Sequence, residues 1–398
     1  MTSSAGTWTR EARRLLPSLR KWRRAFHREP ELSNLETKTQ AKVLRFLREI
    51  GVPAATFRGL TGVVGMLGAD RPGPVVALRA DMDALPVTEA TGFDSESTVP
   101  GVMHACGHDV HMTCLLGAAA IFRQRPESLR GPVKLVFQPA EEEGQVGGAL
   151  PLLRRGIFSR PRVDFVVGQH VAPDLPAGTI GWKKGPIYAA ADRFVIRVVG
   201  RGAHAGYPHL GRDPIVAASE IVLGLQALVS RLRNPVDPVV VSVGMIHGGT
   251  RHNILPDEVV LEGTVRTLRP ETREAIEHWL RRRVRHLAES GGTRAKVTYI
   301  RGYPATVNPP VATEIVVDGL AREFGERTLV ELEEPGMGAE DFSRYLERVE
   351  GTFLKLGTGK PPGAQSLHTA RFLPPEEVLP IGAAALVAAT LALQRSPR

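Results

Sequence analysis

A thiol and an imidazole stand two residues apart in the segment Met103-His104-Ala105-Cys106-Gly107-His108-Asp109. The chain has only 2 cysteines and 12 histidines, so few pairings of this kind are available to it. Alternate side chains of an extended segment point the same way, so Cys106 and His108 in such a segment could bind one metal ion together. Cys-x-His alone is a weak signal for a metal site.

Three later segments supply further metal-ligating side chains and strengthen that signal. They are Gln138-Pro139-Ala140-Glu141-Glu142, Gly168-Gln169-His170 and Leu367-His368-Thr369. The first two follow short apolar runs that are typical of strands, and open α/β sheets place their active sites at strand ends. Hydrolysis at a metal centre needs one carboxylate that holds metal and another that accepts a proton. The combination predicts a metal-dependent hydrolase.

Acidic residues occur at two predicted strand ends. Glu141, Glu142 and Glu143 form a triplet that, without the Cys/His segment, could equally be a solvated surface. Asp83 stands close to Asp81 at the end of another predicted strand, where its carboxylate could orient a metal-bound imidazole. A turn or a helix cap is the alternative role for Asp83.

Other reactive side chains receive structural interpretations. We assign no role to His27, His111 and His278, because single histidines are more often surface or packing residues. The two cysteines do not form a disulfide framework. Cys114 lies in a run of small residues, which indicates packing inside a buried helix.

Apolar patterning indicates the elements that would position these residues. Short apolar runs alternate with helical stretches, which predicts β-α-β crossovers and a largely parallel sheet. The predicted strands are 75–78, 133–137 and 165–167, and the predicted helices are 9–26, 37–50 and 110–124. A last helix, formed by the small apolar residues 381–393, should be buried.

The pattern changes after Gly185, where polar and apolar residues begin to alternate. The order β-α-β-β-α-β follows, which is typical of a small ferredoxin-like domain. Its predicted strands are 193–199, 239–243, 259–266 and 295–300, and its predicted helices are 214–231 and 271–287. We therefore predict an α/β fold with a mostly parallel catalytic domain at 1–187 and 306–398. An inserted ferredoxin-like α+β domain at 188–305 would serve as lid or dimerisation domain.

Length and charge constrain the class of protein. A chain of 398 residues exceeds the usual size of a single core, so two domains are expected. The net charge of +9 invites a nucleic-acid interpretation, but the arginines are scattered and the densest run, Arg281-Arg282-Arg283, fits a solvated helix face. No apolar stretch approaches the roughly 18 residues that cross a bilayer, and the N-terminus lacks a secretory signal. We expect a cytoplasmic protein that binds neither nucleic acid nor membrane.

Six ordered motifs run through nearly the whole chain. They are RADMDALPV (79–87), MHACGHDVHMT (103–113), FQPAEE (137–142), GRGAHAGYPHLGRDPI (200–215), HNILPDEVVLEGTVRTL (252–268) and GAEDFS (338–343). In these motifs the chain resembles the aminoacylase-type metallopeptidases. Within that group it is similar to the branch of hippurate hydrolases, N-acyl-amino-acid amidohydrolases and plant auxin-conjugate hydrolases.

The resemblance implies a centre with two divalent metal ions, which could be manganese, zinc, cobalt or nickel. The implied ligands, with the thiolate as bridge, are Cys106, His108, Glu142, His170 and His368. Glu141 would be the general base. The extra acid Glu143 departs from the usual pattern of this loop, and anchoring the motif on residues 137–140 favours Glu141 over Glu143.

The resemblance also implies roles in the inserted domain. His204 would help to polarise the scissile carbonyl, and such a histidine often reaches the site of a neighbouring subunit, so a homodimer or higher homo-oligomer is implied. Asn253 and Arg266 would hold the substrate's carboxylate. The predicted reaction cleaves an N-acyl amino acid into a carboxylic acid and an amino acid. A metallo-carboxypeptidase or dipeptidase on short peptides is the alternative, and a non-catalytic metal-binding protein is disfavoured by Glu141.

Overall fold

The computed structural model describes residues 6–359 and 365–396. The chain forms two compact units, and each consists of separate chain segments. The larger unit takes 1–187, 307–335 and 341–398, and the smaller unit takes 188–306 and 336–340. Residues 336–340 thus belong to the smaller unit although they lie far from the rest of it in sequence.

The larger unit contains eight helices and eight strands within the described residues. Its helices are α1 (Thr7–Arg14), α2 (Leu16–Arg28), α3 (Thr37–Glu49), α4 (His108–Gln124), α5 (Ala149–Arg154), α8 (Pro310–Phe324), α9 (Ser343–Leu346) and α10 (Leu379–Leu393). Its strands are β1 (Ala54–Phe57), β2 (Leu60–Leu67), β3 (Val76–Asp81), β4 (Val133–Gln138), β5 (Phe165–Pro176), β6 (Ile180–Trp182), β15 (Leu329–Glu331) and β16 (Glu350–Gly359). Two short strands, β7 (Gly185–Tyr188) and β14 (Thr306–Asn308), lie where the chain passes from one unit to the other.

The eight strands form one mixed sheet in the order β1-β2-β4-β3-β5-β16-β6-β15. The central pairs β4–β3, β3–β5 and β5–β16 are parallel, whereas β1–β2, β2–β4 and β16–β6 are antiparallel. Every residue of β3 and β4 is buried, as expected for strands covered by helices on both faces. The predicted α/β class with a mostly parallel central sheet is confirmed.

Helices α4 and α10 pack closely because their facing residues are small. A Cβ added to Gly117 would lie 2.8 Å from Ala383 Cβ, and one added to Gly382 would lie 2.6 Å from Cys114 Sγ. Nearly all of α10 is buried, which confirms the interpretation of this apolar segment as a core helix. The segment Glu376–Leu393, which contains α10, is long and apolar enough to cross a membrane, and so is a second helix described below. Buried core helices often have the same length and apolar composition as membrane-spanning helices.

The predicted helix 9–26 is two helices in the structure. Helix α1 ends at Arg14, and α2 begins at Leu16 with Pro17 in its first turn. Proline has no N–H to donate to the preceding turn, so it starts a helix more readily than it continues one. The hairpin β1–β2 was not predicted, because its strand β2 is interrupted by Gly62 and Gly65.

The smaller unit has the predicted ferredoxin-like order of elements. They are β8 (Ala190–Val199), β9 (Ala203–His204), α6 (Pro214–Arg231), β10 (Val239–Gly248), β11 (Ile254–Leu255), β12 (Glu258–Thr267), α7 (Pro270–Ser290) and β13 (Arg294–Arg301). Four strands form an antiparallel sheet in the order β10-β12-β8-β13. Alternation along β8 buries Phe194, Ile196 and Val198 in a core shared with α6 and α7. Helix α6 is the second helix that is apolar and long enough to cross a membrane.

Candidate metal centre

The Cys-x-His motif lies at the start of a helix, so the predicted extended conformation is wrong. Cys106 is in a turn, Gly107 has a left-handed backbone with φ of 78°, and His108 is the first residue of α4. The sharp turn at Gly107 nevertheless directs both side chains to one place. The ligand atoms of Cys106, His108 and His170 all lie within 4.8 Å of one another.

Strand ends supply the neighbouring acidic groups. Asp81 ends β3, and the chain that leaves β4 makes a short helical turn containing Glu141 and Glu142. Ala140 precedes that turn with φ of 54°, and its N–H donates to the carboxylate of Glu36 at 2.8 Å. Because β3 and β4 are adjacent and parallel, their carboxyl ends bring these acids to the same edge of the sheet.

His368 comes from a distant part of the chain and completes a second group of ligands. The backbone N–H of His368 donates to the carbonyl of Ala105 at 2.8 Å, and this bond fixes the loop beside the Cys-x-His turn. Its Nε2 lies 3.3 Å from Cys106 Sγ and 3.4 Å from Glu142 Oε1. The thiol therefore belongs to two groups, one with His108 and His170 and one with Glu142 and His368. Two adjacent cation positions that share Cys106 fit this arrangement.

The buried polar atoms of these residues fit a pair of divalent cations. His108 Nε2 and Glu142 Oε1 are buried without a hydrogen-bond partner among the described residues. Leaving such an atom unsatisfied costs about 1–3 kcal/mol, so native proteins rarely do it without a ligand or water. A thiol, imidazoles and carboxylates together form a ligand set that suits zinc and its neighbours in the first transition series.

Electrostatics in this cluster favour the uptake of positive charge. Burial raises the pKa of the Cys106 thiol well above its ordinary value, and the nearby carboxylates of Glu142 and Glu141 raise it further. Burial opposes charge on His108, but Asp81 and Asp83 outweigh it and raise the pKa of His108 to about 10. Burial lowers the pKa of His170 well below its ordinary value, which leaves a neutral imidazole. A bound cation would replace the protons of Cys106 and His108.

Asp83 lies beside the imidazole that it was predicted to orient. Its Oδ1 is 3.3 Å from His108 Nδ1, an ion-pair distance without hydrogen-bond alignment. Its Oδ2 accepts hydrogen bonds from Glu142 N–H at 2.9 Å and from Ser33 Oγ at 2.6 Å. One buried carboxylate therefore contacts two of the candidate ligands.

The third acid of the triplet has a local structural role. Glu143 Oε2 accepts the backbone N–H groups of Gln145, Val146 and Gly147 at 3.1, 2.7 and 3.0 Å. These three bonds lower the pKa of Glu143 even though partial burial opposes them. Glu141 is only 6% exposed, whereas Glu143 is exposed and committed to its own loop. The geometry therefore favours Glu141 over Glu143 as the candidate base.

His111, which received no role from the sequence, lies directly behind this cluster. Its Nδ1 is 2.6 Å from Asp81 Oδ1, and its Nε2 accepts Val171 N–H at 2.9 Å. His111 forms a further group of potential ligand atoms with Asp81 and His108, but both of its ring nitrogens already have protein partners. Its spacing of three residues from His108 on one helix was the available signal, because such residues share a helix face.

His27 also proves to be buried in a polar cluster. Its Nδ1 lies 3.0 Å from Asp109 Oδ2, and its Nε2 lies 2.8 Å from Glu89 Oε1. Arg23 donates to the same Asp109 oxygen at 3.0 Å and to the carbonyl of Pro374 at 2.7 Å. This cluster joins α2 to the first turn of α4. His278, by contrast, is exposed, in agreement with its interpretation as a surface residue.

The smaller unit holds the remaining three predicted site residues. His204 is on β9 and exposed. Its Nδ1 accepts a hydrogen bond from Gly206 N–H at 3.0 Å, so Nε2 is the ring nitrogen that can bind other partners. Asn253 is exposed too, and its carbonyl accepts Ala205 N–H at 3.0 Å beside the pairing of β9 with β11. His204 and Asn253 are therefore neighbours within this unit.

Arg266 lies on β12, in the four-stranded sheet, and is half-buried. Its guanidinium donates to Thr264 Oγ1 and to the carbonyl of Val265. Within the part of the chain that the structure describes, no carboxylate lies at ion-pair distance from Arg266. Burial lowers the pKa of Arg266. The charge of Asp192 opposes this shift from a longer distance. A partly desolvated guanidinium without a direct ion-pair partner is suited to an anionic ligand.

Comparisons with known proteins agree with the motifs. Residues 77–392 match the model of peptidase family M20/M25/M40. The chain is 41% identical over 367 residues to thermostable carboxypeptidase 1 of Saccharolobus solfataricus, which covers 91% of this chain and 92% of the relative. It is 42% identical over 287 residues to an N-acyl-L-amino acid amidohydrolase of Geobacillus stearothermophilus, covering 72% of this chain and 77% of that protein.

A solved structure gives the same result. The YXEP protein of Bacillus subtilis, described as a dinuclear metal-binding peptidase of the M20 family, superposes with a TM-score of 0.84 at 34% identity. The alignment covers 96% of this chain and 99% of that one. The resemblance inferred from the sequence motifs is therefore confirmed. This chain belongs to peptidase family M20/M25/M40.

Proposed function

We propose that this protein is a dinuclear metal-dependent amidohydrolase. It cleaves N-acyl amino acids, hippurate-like compounds among them, to a carboxylic acid and a free amino acid. One observation carries the proposal: two groups of metal-ligating atoms share Cys106, and the buried carboxylate of Glu141 lies in the same cluster as His108 and Glu142. The relative from Geobacillus stearothermophilus, named an N-acyl-L-amino acid amidohydrolase, supports the choice of substrate class.

The proposed metal site uses side chains from four separate chain segments. They are Cys106, His108, Glu142, His170 and His368. Asp83 would hold the imidazole of His108 and the backbone of Glu142 in place. Two divalent cations, when bound, would supply Lewis acidity and a water of lowered pKa. Manganese, zinc, cobalt and nickel all accept this mixture of sulfur, nitrogen and oxygen ligands.

Glu141 would perform the proton transfers of the reaction. Its carboxylate would accept a proton from the attacking water and then deliver that proton to the departing amine. Burial suits this role, because a carboxylate shielded from bulk water exchanges its proton mainly with groups inside the site. Glu143 cannot substitute for it without giving up three backbone hydrogen bonds.

The smaller unit would recognise the substrate. Arg266 and Asn253 would bind the free carboxylate of the amino acid and so determine which amide bond is cleaved. His204 would donate to the scissile carbonyl oxygen as negative charge develops there. The protein would act as a cytoplasmic homodimer or higher homo-oligomer, with small molecules and neither nucleic acid nor membrane as its partners.

A metallo-carboxypeptidase or dipeptidase is the second candidate. The relative from Saccharolobus solfataricus is named a carboxypeptidase, and a carboxylate-binding Arg266 suits a peptide C-terminus as well as an N-acyl amino acid. The two functions differ in whether the group on the other side of the amide carries a free amine.

Release of amino acids from a substrate panel tests both candidates. The panel contains benzoyl-glycine, acetyl-methionine, an indole-acetyl-amino acid and a dipeptide, each with chelator, zinc, manganese, cobalt or nickel. Metal-restored cleavage of the acylated compounds supports the amidohydrolase, and cleavage of the dipeptide alone supports the peptidase. Glu141→Gln should lower kcat by about 10²–10⁴-fold with metal content unchanged. Glu143→Gln is the matched control, because Glu143 lies two residues further along the same helical turn, and it should retain kcat. Near-normal turnover by Glu141→Gln would refute the assignment of the base.

A further inference from the structure

A chain of buried hydrogen bonds behind the candidate ligands has no part in the proposed reaction. Arg79 donates to Asp81 Oδ2 at 2.6 Å and to Asp341 Oδ1 at 2.8 Å. The other oxygen of Asp81 is 2.6 Å from His111 Nδ1, and Val171 N–H donates to His111 Nε2 at 2.9 Å. The side chains in this hydrogen-bond network are no more than 1% exposed. Such a continuous buried network holds its members in one arrangement.

The two partners of His111 determine which ring nitrogen carries the proton. A backbone N–H can only donate, so the Nε2 that faces Val171 must be an unprotonated acceptor. An ionised carboxylate can only accept, so the proton is on the Nδ1 that faces Asp81. His111 is thus neutral, and it links the fixed carboxylate of Asp81 to the backbone N–H of Val171.

The backbone of Val171 leads directly to a candidate ligand. Its carbonyl accepts from His170 Nδ1 at 2.7 Å. The proton of His170 is therefore on Nδ1, and the lone pair of Nε2 is left to face Cys106 Sγ at 3.3 Å. The rings of His111 and His170 also lie against each other, with centroids 4.6 Å apart. Val171 is held on its N–H side by one histidine and on its carbonyl side by the other.

We infer that His111 is a positioning residue for the metal centre, which fixes Val171 and through it the tautomer and direction of the His170 ligand. Metal-bound histidines usually donate their second N–H to a group whose own position is fixed, and loss of that support costs roughly 10–100-fold in metal affinity. Here the supporting group is a backbone carbonyl, so its position depends on the residue that holds the same backbone from the other side. The inference rests on the proposed metal site.

Two substitutions separate the two bonds that His111 makes. The amide nitrogen of His111→Asn reaches the place of Nδ1 and keeps the bond to Asp81, but leaves Val171 N–H without an acceptor. The amide oxygen of His111→Gln reaches the place of Nε2 and keeps the bond to Val171. If Val171 is the route to the ligand, the glutamine variant keeps more metal affinity than the asparagine variant.

The experiment titrates metal-free protein with cobalt and follows both the heat of binding and the absorption of the Cys106 thiolate–cobalt bond. We expect His111→Asn to lose roughly 10–100-fold in cobalt affinity and to change the absorption spectrum. His111→Gln should lose less. Cys114→Ala is the matched control, because Cys114 is fully buried one turn along the same helix and its thiol contacts the carbonyl of Leu379 instead. It should lower the Tm and leave cobalt affinity unchanged.

Wild-type affinity and spectrum in both His111 variants, with only the Tm reduced, would overturn the inference. Better binding by His111→Asn than by His111→Gln would overturn it as well. If His111→Asn does not fold, His111→Ala, which removes both bonds, takes its place: weaker cobalt binding than in His111→Gln supports the inference, and equal affinities contradict it. Failure of the wild type to bind cobalt would remove the metal site itself, whereas a wild type that binds cobalt but cleaves no acyl amino acid would leave the inference intact.

Discussion

Three of the five candidate ligands in the larger unit, Cys106, His108 and His170, are buried in its interior, whereas the candidate recognition residues of the smaller unit lie at or near its surface. The other two ligands are less enclosed, because Glu142 is partly buried and His368 is exposed. His108 is fully buried and Cys106 is 6% exposed, while His204 and Asn253 are exposed and Arg266 is half-buried. The first group has partners from many elements of its unit. The second is held by a two-stranded pair and by contacts within single strands.

This difference indicates a division of tasks. Metal chemistry requires ligand atoms placed to within a fraction of an ångström, and a close-packed interior supplies that accuracy. Recognition of a carboxylate tolerates more movement, since an arginine can follow its partner. Changes at the candidate ligands of the larger unit should therefore affect metal content and turnover, and changes at Arg266 and Asn253 of the smaller unit should affect substrate binding.

The largest effect is expected from Cys106→Ala, which removes the group shared by both ligand sets. The variant should lose bound metal and with it measurable turnover, because neither set keeps its sulfur ligand. Metal content by elemental analysis and product release under the same conditions provide the check. Retention of two equivalents of metal would show that the thiol is not the shared ligand.

Metal affinity should also rise steeply with pH. Cys106, whose pKa is raised, and His108, whose pKa is about 10, hold their protons in the metal-free protein at neutral pH. Each proton displaced by the metal makes affinity about tenfold stronger per pH unit, so the increase should lie between roughly 10- and 100-fold. Titrations at pH 6.5 and 7.5 in two buffers of different ionisation enthalpy would count the released protons. No pH dependence would contradict the proposed pair of ligands.

In the smaller unit, Arg266→Ala should weaken substrate binding and spare the metal. Loss of a hydrogen bond to a charged group costs about 1.5–3 kcal/mol, which corresponds to roughly 10–100-fold in kcat/KM. Most of that loss should appear as a higher KM, with metal content as in the wild type. Arg281→Ala is the control, since Arg281 is exposed in the same unit and pairs with Glu277. An unchanged KM in Arg266→Ala would remove the proposed carboxylate site.

The smallest effect on turnover is expected from His27→Gln, which should change stability alone. Burial opposes charge on His27, but Asp109 and Glu89 raise its pKa to about 9 from an ordinary 6.5, a difference of about 3 kcal/mol. A raised pKa stabilises the fold fully below pH 6.5, and the contribution disappears as the pH rises through 9. Urea unfolding of wild type and variant should differ most at pH 6 and least at pH 9.5. A gap independent of pH would contradict this account.

Local patterns predicted the elements whose structure depends on local sequence. Buried parallel strands such as β3 and β4 are mostly apolar, and acidic residues at or just after their ends pointed to Asp83 and to the triplet 141–143. The choice of Glu141 within that triplet came from the family resemblance. The hairpin β1–β2 has no such pattern, because three of the four residues of β1 are exposed and the glycines of β2 break the apolar run. Its existence depends on pairing with β4, which no window of sequence contains.

The supporting contacts of the site were the least predictable part. His111 acquires its role from Asp81 and Val171, residues that lie 30 and 60 positions away. Arg79 likewise depends on Asp341, 262 positions along the chain. A histidine in a helix has the same sequence signature whether it faces solvent or holds such a network. The spacing from His108 places His111 on the same helix face, but only the tertiary structure shows which network it holds.

The glycine between the two ligands of the Cys-x-His motif has a consequence for sequence variation. Its φ of 78° is unfavourable for any side chain, and a Cβ there would lie 2.6 Å from Val171 Cγ2. A library randomised at position 107 and selected for activity should return glycine almost alone. A paired library with a smaller residue at 171 would relieve the contact but not the backbone strain, so alanine should remain rare. The motif therefore depends on Gly107 between the two ligands as much as on the ligands themselves.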